Sequence, residues 1–105
     1  SNSLVTPNKN IFDTLSIMSG TGFVLVRSQE PDAIVGIFTD GDLRRVLELG
    51  LDIKTLKVGE HCSYDPVIVS MDMLSSEADA LMSDVGITSV LVSDQNKLII
   101  GVYQK

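Results

Sequence analysis

Apolar positions along this chain follow two rhythms, one helical and one extended, and the sequence of rhythms occurs twice. Ile11, Leu15 and Met18 stand at i, i+4 and i+7 with Phe12 beside them, which predicts a helix from Asn8 with one buried face, ended by Gly20 and Gly22. Residues 23–26 are an unbroken apolar run of strand length, residues 28–32 have turn composition, and residues 33–38 supply a partner strand. Leu43, Val46 and Leu47 mark one face of a second helix, with Gly50 as a left-handed cap. Residues 51–62 read as a connector that tucks Ile53, Leu56 and Val58 onto the core, and Asp65-Pro66 punctuates it. A strand at 67–69 follows. Leu74, Ala78, Leu81, Met82 and Val85 then give a third helix, closed by Gly86, before strands at 90–92 and 98–103 flank a polar turn at 93–97.

The second half copies the first. Val5, Met18 and Gly22 fall 64 positions before Val69, Met82 and Gly86, and Gly36-Ile37-Phe38 falls 65 before Gly101-Val102-Tyr103, the mark of an internal duplication. The predicted class is α+β: tandem repeats at 4–58 and 59–105, each a small β-sheet with helices packed on one face. Too few strands stand in one repeat to bury its helices, so two repeats related by a pseudo-twofold axis are expected to share a core, with one cleft per repeat.

Between strand and second helix lies Gly36-Ile37-Phe38-Thr39-Asp40-Gly41-Asp42-Leu43-Arg44-Arg45. The first N–H groups of a helix lack internal acceptors and carry partial positive charge, so this corner suits a phosphate, with the Thr39 hydroxyl beside it. Asp42, three residues on, can accept from the vicinal hydroxyls of a ribose. The same Thr-x-x-Asp spacing also makes a capping box, which needs no ligand at all. Both readings stand on spacing, and a cap can be displaced by a ligand.

Gly-h-h-Thr-x-x-Asp, with h apolar, resembles the signature of CBS domains, and the duplicated chain resembles a CBS pair, or Bateman module, over nearly its whole length. The resemblance implies that Thr39 contacts a phosphate and Asp42 a ribose, with the base held between apolar strand residues and backbone groups of the entry segment, here Val5, Thr6 and Ile37, and Phe38. A second cleft would draw on Pro66, Val67, Thr88, Ser89 and Val90. There Gln104 stands where Thr39 stands, and the chain stops before any match to Asp42, so the two sites are expected to differ. Both ends read as cut short: the strand and short helix that usually precede Val5 are missing from the first repeat.

The decapeptide at 36–45, with Leu47 and Gly50-Leu51-Asp52, is particularly similar to the C-terminal CBS pair of sugar-phosphate isomerases of the arabinose-5-phosphate isomerase type, which make the precursor of Kdo for lipopolysaccharide or capsule. The resemblance implies a regulatory domain without an active site of its own. Its partners would be an N-terminal sugar isomerase domain in the parent chain, a second copy in a homodimer, and a nucleotide effector. That effector would be AMP, ADP or ATP, or else CMP or CMP-Kdo, with no cofactor required. CBS pairs of sugar nucleotidyltransferases carry similar Thr-Asp-Gly-Asp segments and are the alternative parent. A purely structural dimerisation module is the alternative role.

Composition narrows the classes. With 105 residues, 44% hydrophobic and 21% charged, the chain has the makeup of a globular domain with one core or two small fused ones. A formal charge of −6 argues against a nucleic-acid surface. No membrane-length apolar run or signal peptide is visible, and Ser1-Asn2-Ser3 reads as an expression scar or frayed end. One cysteine, Cys62, makes no internal disulfide, and a cytoplasmic setting is expected. Asp40-Gly41-Asp42 lacks the further oxygens and closing Glu of a calcium loop. His61 and Cys62 have no second ligand or catalytic partner, so neither a metal site nor catalysis is expected. Arg44 and Arg45 read either as a solvated face or as contacts for an anionic ligand or partner, and the four methionines as core filling.

Overall fold

The computed structural model describes residues 4–105; the expectation for residues 1–3 lies outside them. The chain divides into two compact units between Asp65 and Pro66. The first contains β1 (Leu4–Val5), α1 (Ile11–Met18), β2 (Phe23–Gln29), β3 (Asp32–Thr39), α2 (Asp40–Glu48), a 3-10 turn (Val58–Glu60) and β4 (Ser63–Tyr64). Its sheet has the order β1-β2-β3-β4, with β1 parallel to β2 and the other pairs antiparallel. The second contains β5 (Ile68–Ser70), α3 (Ser75–Val85), β6 (Ser89–Ser93) and β7 (Ile99–Gln104), in the sheet order β5-β6-β7. Again the first pair is parallel and the second antiparallel. The fold is α+β, with two small sheets and three helices.

Side chains alternate across each strand, so one face of the first sheet collects Val5, Val24, Val26 and Phe38. These close on Ile11 and Met18 of α1, Val46 of α2, and Val58. Leu4, Leu25 and Ile37 are register partners on the opposite face, where Leu25 and Ile37 are also buried. The second core is smaller, built on Val69, Met82 and Val90 with Leu81, Ile87, Val92 and Tyr103 against it.

The connector holds the start of α1. Asn10 caps the helix, its Oδ1 accepting the Phe12 N–H at 2.9 Å, while the N–H groups of Ile11 and Phe12 donate to the carbonyls of Leu56 (2.9 Å) and Ile53 (3.1 Å). Orphan helix donors are thereby satisfied by a segment more than forty residues on in sequence. Ile53 and Leu56 pack on the core and Val58 is fully buried, as their apolar character predicts.

Differences from the sequence reading have local causes. The turn expected at 28–32 is shorter, because β2 runs to Gln29 and β3 starts at Asp32, an extension held by the exposed Arg27–Asp32 ion pair. Two-residue β4 carries no periodicity to read, yet it pairs Tyr64 with Gly36 and Ser63 with Ile37. That pairing keeps residues 59–65 with the first unit. Met18 and Met82 fill cores, whereas Met71 and Met73 are exposed around the turn between β5 and α3.

Candidate functional site

The corner between β3 and α2 is built by strand register. Thr39 is the last residue of β3, opposite Phe23, and its extended backbone (φ −112°, ψ 170°) makes it the N-cap of α2. The Asp40 N–H turns back to the Gly22 carbonyl at 2.9 Å, so the chain leaves the sheet immediately after Thr39.

Thr39 and Asp42 are brought together in a complete capping box. The Asp42 N–H donates to Thr39 Oγ1 at 3.3 Å, and Asp42 Oδ2 accepts from the Thr39 N–H at 2.9 Å and the Thr39 hydroxyl at 3.1 Å. Asp42 Oδ1 pairs with the Arg45 guanidinium one turn on. Asp42 is buried, at 6% exposure, and its carboxylate is neutralised where it sits.

The Asp40 and Asp42 N–H groups are taken as described. Gly41, between them, keeps the approach open. A Cβ there would lie 3.6 Å from Thr39 Oγ1 and 3.8 Å from Arg45 Nη1, so hydroxyl and guanidinium flank it at the first turn of the helix. A hydroxyl beside a cation at a helix start suits a phosphate, and the carboxylate next to them is what a sugar hydroxyl needs.

The other residues expected at this site lie along the strands that lead to the corner. Phe38 is fully buried on the helix side of the sheet, and Val5 belongs to the same core. Ile37 is buried on the opposite face with Leu25, its register partner, a neighbour the sequence reading did not name. Thr6 is exposed, and its carbonyl accepts the Lys9 N–H at 3.1 Å in the turn before α1. Val5 pairs with Val26, which in turn faces Gly36, three residues before Thr39. The entry segment therefore lies two strands across and three residues along from the corner, roughly 14 Å away at ordinary sheet spacings.

In the second unit Ser89 pairs with Gln104 and the Lys105 N–H donates to the Thr88 carbonyl at 2.9 Å, so Thr88, Ser89 and Gln104 meet at one end of that sheet. Val90 is in the core with Val67 against it, and the Val67 carbonyl accepts the Leu91 N–H at 2.9 Å. Pro66, half-buried, leads into this segment. Gln104, at the end of β7, stands in this unit where Thr39 stands in the first.

The half-buried Cys62 sits at 4.0 Å from the Gly59 carbonyl. Burial is the main reason its thiol is pushed up, with the Asp42 charge adding to that against smaller hydrogen-bond effects from Tyr64 and the backbone. Among the described residues no group of three or more His, Cys, Asp or Glu is placed to hold a metal ion, and no helix is long and apolar enough to cross a membrane.

Comparison with known proteins places this geometry. Residues 4–49 match the family model of the CBS domain. The arabinose 5-phosphate isomerase of Yersinia pestis is 33% identical over 96 residues, 90% of this chain and 29% of that protein. The Salmonella typhi enzyme of the same name is 42% identical over 66 residues, 63% of this chain and 20% of that protein. This chain thus spans less than a third of the length of these curated relatives. Among solved structures, a protein with CBS domains from Burkholderia ambifaria superposes with a TM-score of 0.82 at 27% identity, covering 96% of this chain and 74% of that one. A CBS domain protein from Pyrobaculum aerophilum complexed with AMP has a TM-score of 0.79 over 96% of this chain and 78% of its own, a likeness of fold at 17% identity.

Proposed function

The chain belongs to the CBS-domain family, and from that premise we propose that it is a regulatory module that binds a nucleotide at the Thr39–Asp42 corner. The observation that carries the reading is the Thr39 hydroxyl and the Arg45 guanidinium at the first turn of α2 beside a buried carboxylate. The phosphate of the ligand sits on the first turn of α2, and its ribose hydroxyls donate to Asp42. The similarity to arabinose 5-phosphate isomerases supports a parent chain of that type, with a sugar isomerase domain N-terminal to this module, acting in the cytoplasm as a homodimer on the path to Kdo. An adenine nucleotide, or CMP or CMP-Kdo as a product-like signal, is the effector.

Regulation follows by linkage. A ligand that binds one conformation of the module better than another shifts the parent toward that conformation by its difference in affinity. The test is calorimetry against AMP, ADP, ATP, CMP and CMP-Kdo, with Thr39→Ala and Asp42→Ala in parallel. One of these ligands binds the unaltered chain, and both substitutions abolish that binding. If no ligand binds and both substitutions only lower the melting temperature, the box is a helix cap and the module serves assembly.

A further inference from the structure

Three donors hold Asp42 in this structure: Oδ2 accepts from the Thr39 N–H and hydroxyl, and Oδ1 from Arg45. A carboxylate has about four acceptor positions, so the two vicinal hydroxyls of a ribose can both bind only by displacing one of these donors, and they are not equally easy to displace. Both Thr39 donors belong to the helix cap. Arg45 is a long side chain with 68% of its surface exposed, against 7% for its partner, so its guanidinium returns readily to solvent while a ribose hydroxyl replaces it on the buried carboxylate.

We propose that Arg45 is a displaceable latch: it occupies Asp42 when the site is empty and moves onto the ligand's phosphate when the ribose takes Asp42. This rests on the nucleotide reading above and adds to it a rule of selection. A nucleoside must break the Arg45–Asp42 pair and gives the guanidinium nothing in return. A nucleoside phosphate supplies a new anionic partner close by, because Arg45 Nη1 already lies against Gly41 in the first turn. Arg45 is thus a specificity-determining residue that sets the site against unphosphorylated nucleosides. The α2 dipole alone disfavours a cation over its first turn, which is consistent with Asp42 holding the guanidinium there until an anion arrives.

The test is the ratio of AMP to adenosine affinity, and of CMP to cytidine affinity, by calorimetry on the unaltered chain, Arg45→Gln, Arg45→Lys and Arg44→Gln. Arg44→Gln removes the same charge from the next, exposed position and controls for net charge. Arg45→Gln is expected to lower the nucleotide-to-nucleoside ratio by about tenfold, the scale of one charge-assisted hydrogen bond, while nucleoside binding holds or strengthens. Arg45→Lys recovers part of the ratio, and Arg44→Gln leaves it unchanged. If AMP or CMP binds but the ratio is the same in Arg45→Gln as in the unaltered chain, or falls equally in Arg44→Gln, the latch is overturned and the nucleotide reading survives. If no nucleotide binds any of the four proteins, both are overturned.

Discussion

Thr39 and Asp42 cap α2 and, in the proposed function, hold the ligand with the same atoms, and single substitutions can separate the two roles. Thr39→Ala removes the hydroxyl that accepts the Asp42 N–H, and loss of such a cap is expected to cost about 1 kcal/mol, read as a fall in the denaturation midpoint. Gly41→Ala should act in the opposite sense on stability. A Cβ there meets nothing closer than 3.6 Å, and alanine in place of a helical glycine is expected to stabilise by about 0.4–1 kcal/mol. The same methyl crowds the surface where a phosphate would sit. A Gly41→Ala protein that melts higher but binds nucleotide more weakly would show that ligand contact and fold stability are separate. Cys62 offers a test by pH. Its thiol is pushed up by burial, so its stabilising contribution is present below the ordinary thiol range and is lost as pH rises through the raised value. Alkylation of the native protein should be slow at neutral pH and quicken only above the range of an unfolded control.

At this scale the Thr39–Asp42 box was legible, because three-residue spacing at a strand-to-helix corner fixes both partners locally. The partner of Arg45 was not. Its position one turn beyond Asp42 is plain in the sequence, but whether its side chain folds back or faces solvent depends on packing that spacing does not encode.

Among the elements, the helices and the two hairpins could be read from periodicity, since each has an apolar face at its own repeat distance. The short strands could not. β4 has two residues and no pattern, and it exists because β3 offers an edge at Gly36 where a side chain would collide. A Cβ on Gly36 would come within 3.0 Å of both Cys62 Sγ and the Ser63 carbonyl oxygen. The placement of Val5 and Thr6 relative to the corner depends on the register of β1 against β2, which no local signal sets. The connector makes a comparable close approach at Gly59, where a Cβ would sit 2.6 Å from Pro7 Cβ and 2.8 Å from its carbonyl oxygen, the atom that accepts the Gly59 N–H. Gly59→Ala must push the connector off the start of α1, and is expected to cost about 1–3 kcal/mol. A midpoint unchanged from the unaltered protein would show that this contact bears no load.

For the whole molecule, the duplication was visible in the sequence as matched offsets, and both units repeat one parallel and one antiparallel pairing in the same order. Their inequality was visible too. The Thr-x-x-Asp box stands in the first unit, and Gln104 stands at the matching place of Thr39 in the second. The proposed site is therefore the corner of the first unit, the one with the larger core. The most direct test is calorimetric titration of this chain with AMP and with CMP, read for stoichiometry and repeated on Asp42→Asn. The expected result is saturation near one nucleotide per chain for one of the two ligands, lost in Asp42→Asn while the helical circular-dichroism signal is kept. Equal binding by Asp42→Asn, or no binding to the unaltered chain at millimolar ligand, would contradict a nucleotide site at this corner.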